Sequence, residues 1–576
     1  MNLVDSLADR VAAARGRLTP ERFYPLLLAA LVLSGLAVFL MPGIPSGNDL
    51  YYHFTRLYTM CQDFRLGEIP AMINHEALSN YGYATGLFYP DVFLYPCVLL
   101  MFCGMGIVAA YKCFIAAWML LIAFSVYFCA RKLSATPFGA FAVALLYSWS
   151  SYLATDLFIR AALGETLVFA FMPWIVWGLY EILFGDPRRF WWFSFGFAGV
   201  VCSHGLSLIL LAFLCGVIVA FNFLRLLREP RRLFYLALSP LPALLVGAAV
   251  LAPSAEQFAH FEFLIKGEKN ADFLDHCMPA LKLFLEIPTC ELEIWHPAGV
   301  GTIFLILLLL RGKVASRRTP AERYRDILLI AGVSCLALST TMPPWKQILQ
   351  PLWVIQFPWR FFAPATAFLA FGCGLTLSAH VKTDWKRERY WLWIVVLGAA
   401  SMWVFNVGYV YGATLNGWHT ARGYKPGRPQ EASGIHYLPL GSILDLEIRE
   451  RGDVVTPSHP LDCTVSRPQK NILQLSFSGN SSDNEVELPL LPYYGYRARL
   501  SAPNGAEREV AVGTGPNKFL SVSLPADSPS GTVTVRYEAT PIQRASQACT
   551  LLAILAWLAF AIRVRSRRTQ ANNLES

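Results

Sequence analysis

The sequence predicts a polytopic α-helical membrane protein, with about 12 transmembrane helices and a C-terminal extracytoplasmic β-sandwich-like domain. Of its 576 residues, 55% are hydrophobic and only 15% are charged, and the mean hydropathy is +0.43. Apolar runs long enough to cross a bilayer recur along most of the chain. After residue 411 the pattern changes to short alternating segments separated by turn residues, which is typical of β-strands.

The predicted spans follow from the apolar runs. We expect them near 24–41, 110–130, 137–157, 166–184, 190–203, 206–224, 233–252, 299–310, 326–341, 361–379, 390–411 and 547–563. The run 299–310 is short for a span, so we expect this helix to begin earlier in the chain.

The placement of Lys and Arg predicts the orientation of the chain. Arg10, Arg15, Arg17 and Arg22 precede the first span. Further basic groups occur at every second loop, namely Arg131/Lys132, Arg188/Arg189, Arg225–Arg232, Arg311–Arg325, Lys382–Arg389 and Arg563–Arg568. Because positive loops face the cytoplasm, both termini should be cytoplasmic. The net charge of +9 is therefore mainly a topology signal, and nothing in it calls for nucleic acid as a partner.

Three regions are predicted from these patterns. Residues 1–411 form the membrane domain, with outer loops at 42–109 and 253–298, and 91–108 forms an interfacial or re-entrant helix within the first loop. Residues 412–545 form the β-rich outer domain, with strands expected at 472–477, 485–488, 519–524 and 532–537. Residues 546–576 form the final span and a basic cytoplasmic tail.

A polar segment directly after the first span contains the first candidate functional residues. Asp49, His53 and Arg56 are spaced i, i+4 and i+7, so on a helix they would share one face. A carboxylate beside cationic donors suits a base that works next to a bound phosphate. The structural alternative is a solvated loop with surface ion pairs.

Four further ionisable residues lie at the outward ends of predicted spans, where charges are costly and therefore candidates for function. They are Arg160, Glu165, His204 and Arg360. All would face the same compartment as Asp49, as one outer active site requires. Each has a structural alternative: Arg160 and Glu165 could pair with each other, His204 could cap a hairpin, and Arg360 could anchor a helix at the headgroups.

Several catalytic classes lack their motifs. The chain has no P-loop, G-x-G-x-x-G, H-E-x-x-H or G-x-S-x-G sequence. Glu291-Leu292-Glu293 and Asp445-Leu446-Glu447 are acid-x-acid segments, but no further ligand is in view for either. No cofactor and no metal are therefore predicted.

The order of these motifs resembles the GT-C superfamily of integral-membrane glycosyltransferases. The closest likeness is to its bacterial branch of YfhO-like and 6-pyruvoyl-tetrahydropterin synthase-related membrane proteins. The matching segments are Asp49-Leu50-Tyr51-Tyr52-His53-Phe54-Thr55-Arg56, Gly67-Glu68-Ile69-Pro70, Gly86-Leu87-Phe88-Tyr89-Pro90, Arg160-Ala161-Ala162-Leu163-Gly164-Glu165, Ser203-His204-Gly205, Gln356-Phe357-Pro358-Trp359-Arg360-Phe361 and Leu491-Pro492-Tyr493-Tyr494-Gly495-Tyr496. The resemblance implies a GT-C-like membrane domain.

The resemblance also implies a polyprenyl-phosphate-sugar donor bound from the bilayer and a glycan, lipid or protein acceptor that approaches from outside. Asp49 matches the acidic residue that serves as catalytic base in an inverting transfer, and His53 lies beside it. Arg56, Arg160, His204 and Arg360 could bind the donor phosphate, with Glu165 in support, because basic groups neutralise charge that develops there. The first loop lacks an acid-x-acid pair, so a metal-dependent mode is not supported.

Two other classes of function remain open. One is a non-catalytic scaffold or assembly factor for envelope polysaccharide, which would tolerate loss of Asp49. The other is a lipid-linked glycan transporter, whose polar groups should lie near the middle of the membrane. The candidates here cluster at outer helix ends, which favours an enzyme at the outer face of the bacterial inner membrane.

Overall fold

The computed structural model describes most of the chain. The described residues are 13, 15–45, 47–266, 273–291, 294–314, 319–382, 385–415, 435–441 and 451–575. The following statements concern these residues.

Five described helices are long and apolar enough to cross a bilayer. They are Ile107–Lys132, Pro137–Ile159, Pro358–Val381, Trp385–Tyr409 and Pro541–Phe560. A sixth is obtained if Pro230–Val246 and Ala248–His260, which meet at a bend of 77°, form one broken span. The chain is thus a multi-pass membrane protein.

The other predicted spans are shorter or interrupted in the described residues. The first is a helix of 16 residues, Pro20–Gly35, followed by the 3-10 turn Ala37–Leu40. The run near 299–310 does not extend backwards, because its helix begins at Thr302 after Gly301, whose φ of 107° is not helical. Pro320–Leu338 has 19 residues, but Glu322, Arg323, Arg325 and Asp326 in its first turns lower its hydropathy.

The chain divides into two compact units. Unit 1 comprises Met1–Leu50, Val108–Ala243 and Asn270–Gly423, and unit 2 comprises Tyr51–Ile107, Leu244–Lys269 and Tyr424–Ser576. The first predicted outer loop therefore belongs mostly to the unit that contains the C-terminal strands.

Unit 1 is helical. Besides the spans it contains Met172–Leu183, Trp191–Val201, Gly205–Phe221, Thr302–Leu310, Pro320–Leu338 and the short hairpin of β1 (Thr289–Glu291) and β2 (Ile294–His296).

Glycines allow two helices of unit 1 to pack closely. A Cβ at Gly332 would lie 2.7 Å from Leu369, and one at Gly372 would lie 2.6 Å from Leu329. This reciprocal contact fixes the helix Phe362–Val381, which begins beside Arg360.

Unit 2 contains a two-sheet β-sandwich-like structure, as predicted. Its strands are β3 (Thr456–Pro457), β4 (Asp462–Gln469), β5 (Ile472–Ser478), β6 (Asn484–Glu487), β7 (Tyr496–Ser501), β8 (Glu507–Val510), β9 (Val512–Thr514), β10 (Leu520–Leu524) and β11 (Ser530–Tyr537). One sheet has the order β3-β6-β10-β9 and the other β4-β5-β11-β7-β8, and all pairs are antiparallel. The four predicted strands correspond to β5, β6, β10 and β11.

The core of this sandwich also contains residues from the first loop of the sequence. Met72, Ile73, Tyr81 and Phe88 are buried in one cluster with strand residues such as Leu475. Asn74 and Tyr83 exchange backbone hydrogen bonds of 2.9 and 3.1 Å, which closes the 74–83 segment on itself. The helices Leu50–Arg65, Tyr95–Phe102, Ala248–His260 and Pro541–Glu575 complete the unit. The β-strands are therefore part of a larger folding unit.

Candidate functional site

A buried ion-pair cluster in unit 1 brings together three of the predicted residues. The guanidinium of Arg160 donates from Nη1 and Nη2 to the two carboxylate oxygens of Glu165, each at 3.1 Å. Arg360 Nε donates to Glu165 Oε1 at 2.7 Å. All three side chains are less than a tenth exposed. The paired geometry of Arg160 is the one that guanidinium groups use for carboxylates and phosphates.

Glu165 is saturated by its partners. In addition to the two arginines, Tyr152 donates its hydroxyl to Glu165 Oε2 at 2.9 Å. Four donors therefore occupy the acceptor positions of this carboxylate. Burial alone would raise the pKa of Glu165, but the positive charges of Arg160 and Arg360 outweigh it and lower the pKa well below its usual range. Glu165 is thus a charged orienting group and poorly suited to accept a substrate proton.

Unusual backbone conformations occur close to Arg160 and Arg360 in the chain. Thr155–Ile159 forms a π-helical turn, and Ala161 has a φ of 52°. Gln356 has a φ of 66°, and its side-chain oxygen accepts a hydrogen bond of 2.9 Å from Arg360 Nη1. Sparsely populated conformations and π-turns occur often at functional sites, where the surrounding structure maintains them. Both guanidinium groups are therefore held by locally strained segments.

The loop that carries Asp49 is attached to the turn at Arg160. The backbone N–H groups of Asn48 and Asp49 donate to the carbonyls of Ile159 at 3.1 Å and Arg160 at 2.8 Å. Gly47 allows this approach, since a Cβ there would lie 2.6 Å from the Ala161 Cβ. Asp49 precedes the helix Leu50–Arg65 and is half-buried. Its loop and the arginine cluster are thus neighbours within unit 1.

His204 is the N-cap of the helix Gly205–Phe221. Its Nδ1 accepts the backbone N–H of Ser207 at 3.3 Å and lies 2.8 Å from the Ser207 hydroxyl. Since an N–H can only donate, Nδ1 is unprotonated and a neutral ring carries its proton on Nε2. His204 also contributes to the electrostatic environment of Glu165. The capping alternative is therefore realised.

His53 and Arg56 belong to unit 2, whereas the ion-pair cluster belongs to unit 1. Both are buried on the helix Leu50–Arg65. Arg56 pairs with the carboxylate of Asp91, donates to the carbonyl of Pro90 at 2.5 Å and lies 4.4 Å from the centre of the Tyr89 ring. The guanidinium of Arg56 is thus engaged with the chain itself.

Two members of the unit 1 cluster were not predicted from the sequence. Asp156, which is fully buried, accepts from Arg160 Nη1 at 2.6 Å, and Tyr152 accepts from the same nitrogen at 3.2 Å. The signal for Asp156 was present, because it is an acidic residue inside the predicted span 137–157. Tyr152 carries no such signal, since tyrosine is common in apolar helices.

The cluster combines two acids with two arginines. Its two carboxylates, Asp156 and Glu165, are buried and bound to arginine. Among the described residues no group of three or more His, Cys, Asp or Glu side chains could hold a metal ion. The side chains of Glu291-Leu292-Glu293, and all of Asp445-Leu446-Glu447, lie outside the described residues. The described part of the cluster is therefore built from carboxylates, guanidinium groups and a tyrosine hydroxyl.

No protein-family model matches the sequence, and no curated protein matches it significantly.

Proposed function

We propose that the protein is a GT-C-type membrane glycosyltransferase. It would transfer a sugar from a polyprenyl-phosphate-linked donor to an envelope glycan, lipid or protein acceptor, at the outer face of the bacterial inner membrane. The proposal includes the twelve-span topology, with cytoplasmic termini and residues 412–545 outside. The observation that supports it most is the backbone hydrogen bonding between the Asp49 loop and the Arg160 turn, because it joins the segment of the half-buried Asp49 to the turn that carries Arg160.

In the proposed reaction Asp49 acts as the general base. Its carboxylate takes the proton of an acceptor hydroxyl, and the oxygen attacks the anomeric carbon with inversion. The bond from that carbon to the phosphate oxygen breaks, and the polyprenyl phosphate leaves with the electron pair. Arg160 and Arg360, held in place by Glu165, supply positive charge for the leaving phosphate. His204 is a further phosphate-binding residue in this scheme, and no metal takes part.

A scaffold without catalysis is the second candidate. The observation that favours it is the saturation of Glu165, whose four acceptor positions are taken by Arg160, Arg360 and Tyr152. An ion-pair network of this kind can exist for structural specificity alone. In that case neither arginine would exchange a protein partner for a lipid phosphate.

Phosphate recognition separates the two candidates. The full chain in lipid nanodiscs would be examined by native mass spectrometry with undecaprenyl phosphate and, as the matched neutral ligand, undecaprenol. A glycosyltransferase of the proposed type should retain the phosphate and release the alcohol. Equal retention of both, or of neither, would reject specific binding of a polyprenyl phosphate and leave the scaffold as the better explanation.

A further inference from the structure

Unit 2 has a group of large apolar side chains at its surface, on the helix Tyr95–Phe102, on the short segment after it and on the loop after Arg65. Leu66 is 36% exposed, Ile69 60%, Leu99 46%, Phe102 48% and Met105 38%. We call these five residues the apolar ridge. Exposed apolar residues are normal when scattered singly, but neighbouring ones indicate a surface that another phase or molecule covers.

Ring contacts show that the two parts of the apolar ridge belong together. The ring of Phe64 lies 5.0 Å from that of Phe102 and 6.4 Å from that of Tyr95. The hydroxyl of Tyr95 accepts the backbone N–H of Ala71 at 3.0 Å. The loop after Arg65 is thereby attached to the helix Tyr95–Phe102 at both of its ends. The ridge is one surface rather than two separate ones.

The opposite side of this helix is already buried. Leu94, Cys97, Val98 and Met101 are each less than a tenth exposed. The segment Val92–Phe102 is therefore apolar on both sides, with one side packed against protein. A water-exposed helix normally has a polar outer face, so the outer face here is built for an apolar medium.

Chain continuity identifies that medium as the bilayer. Only Cys103–Gly106 separates Phe102 from the membrane span Ile107–Lys132. A linker of this length reaches at most about 18 Å, so the helix cannot leave the neighbourhood of the membrane surface. Arg65, which is exposed, directly precedes Leu66. A basic residue beside apolar side chains is typical of segments that bind anionic lipid surfaces.

We propose that the apolar ridge docks unit 2 onto the lipid surface. Leu99, Phe102 and Met105 enter the headgroup–acyl boundary together with Leu66 and Ile69 of the loop, and Arg65 contacts anionic headgroups. The loop after Arg65 is thus a second lipid contact in addition to the spans. This inference goes beyond glycosyl transfer and does not depend on it.

Depth-dependent fluorescence quenching tests the docking. The environment-sensitive probe NBD would be attached at Ile69→Cys or Phe102→Cys, in a background where the accessible or half-buried Cys103, Cys113, Cys463 and Cys549 are serine. Leu66→Cys is a second reporter if one of these variants does not fold. The control is Ser481→Cys, at an exposed position after β5. The full chain would be studied in nanodiscs that contain phosphatidylglycerol, with doxyl-labelled lipid and aqueous iodide as quenchers.

Probes on the apolar ridge and the control probe should respond oppositely to the two quenchers. Doxyl lipid should quench the ridge probes at least about threefold more than the control, because interfacial residues lie about 5–10 Å deep. Iodide should quench the control more than the ridge probes. Ridge probes as accessible to iodide as the control would overturn the proposal. Ridge probes protected from both quenchers would also overturn it, because a protein partner, such as a second copy of this chain, would then cover the surface.

Discussion

The backbone N–H of Asp49 donates a hydrogen bond of 2.8 Å to the carbonyl of Arg160. The contact uses main-chain atoms only, so it does not depend on the side chain of either residue. The backbone of Asp49 is therefore held by the Arg160 turn, while the chemistry of its side chain can be changed separately. The role of the Asp49 side chain can therefore be tested by a substitution that leaves the backbone contact in place.

Asp49→Asn should remove transfer activity without affecting the fold. The substitution is nearly isosteric but eliminates the proton acceptor. General-base groups contribute about 10²–10⁴-fold to rate, so turnover should fall by that factor while binding of undecaprenyl phosphate is retained. Asn48→Ala, at the exposed neighbouring position, is the matched control and should retain turnover. Wild-type complementation by Asp49→Asn at matched expression would instead support the scaffold.

Gly47→Ala should displace the Asp49 loop. The new Cβ would lie 2.7 Å from the backbone nitrogen of Ala161 and 2.9 Å from the carbonyl carbon of Arg160, and backbone atoms cannot move aside cheaply. We expect a loss of about 1–3 kcal/mol in unfolding free energy from overpacking. A misplacement of about 1 Å can cost up to about 10²-fold in turnover.

The control for this prediction is Gly216→Ala. A Cβ at Gly216, inside the helix Gly205–Phe221, meets nothing within 4 Å. It should be neutral or stabilise the protein by up to about 1 kcal/mol. Thermal unfolding in detergent and transfer assays would compare the two variants. Equal behaviour of both would show that the close approach of the loop to the Arg160 turn is unimportant.

Arg360→Ala should reduce both stability and phosphate binding. Removing one partner of a buried ion pair typically costs about 3–5 kcal/mol, and the remaining contact of Glu165 with Arg160 favours the lower end. Arg497→Ala is the matched control, because Arg497 pairs with Glu509 and both side chains are exposed, at 51% and 59%. Exposed pairs contribute about 0–1 kcal/mol, so the control should unfold nearly as the wild type does.

The double variant Arg360→Ala with Glu165→Gln separates the effect of Arg360 on stability from its effect on phosphate binding. It removes both charges of the pair, so part of the lost unfolding free energy should return if the two residues are coupled. Binding of undecaprenyl phosphate should remain weak, since the cation is still absent. Full phosphate binding by Arg360→Ala would leave Arg360 with a structural role only.

The parts of the fold that follow from local pattern could be predicted from the sequence. The alternation in 472–477 and 532–537 predicts β5 and β11, which pair with Leu475 opposite Val533. Strand β4 was missed, because its exposure alternates between exposed and half-buried residues and its apolar signal is weak. The spans 110–130 and 361–379 were predicted well, since continuous apolar helices need no tertiary information.

Long-range relationships could not be predicted in this way. Tyr81 donates its hydroxyl to the carbonyl of Gly452 at 2.6 Å and packs on Phe519, so residues far apart in sequence share one core. Periodicity contains no information about such partners. In the candidate site, the sequence analysis gave the Arg160–Glu165 pair as an alternative, but the addition of Arg360 and the joint saturation of Glu165 depend on the fold. Likewise, Asp91 gave no sign of being the partner of Arg56.

The proposed orientation can be tested with single cysteines. Gly312→Cys lies in the basic segment after the helix Thr302–Leu310, and Ser481→Cys lies after β5, and both positions are exposed. In whole cells a membrane-impermeant maleimide should label position 481 and not 312, because basic loops remain in the cytoplasm. Permeabilised cells serve as the control, in which both should react. Labelling of 312 alone in intact cells would reverse the proposed topology.

Asp63 should make unit 2 sensitive to alkaline pH. Its carboxyl is buried, and burial together with the negative charge of Glu68 raises its pKa from 3.8 to about 8, against the opposing effect of Lys470. Asp91 adds a smaller increase, and the backbone N–H of His75 a smaller decrease. At neutral pH Asp63 is therefore mostly protonated in the folded protein and ionised in the unfolded chain.

The sign of the pH dependence follows from this difference. Between pH 3.8 and about 8 the folded state binds the extra proton, so the contribution of Asp63 to stability is full below pH 3.8 and is lost as the pH rises through about 8. Asp63→Asn imitates the protonated acid and should flatten this slope. The pH dependence of stability would be measured by amide hydrogen exchange of residues 66–76 between pH 6 and 9, with the rates corrected for the intrinsic effect of pH. Asp453→Asn, at an exposed position, is the control. An unchanged slope in Asp63→Asn, or an equal change in the control, would assign the sensitivity to another group.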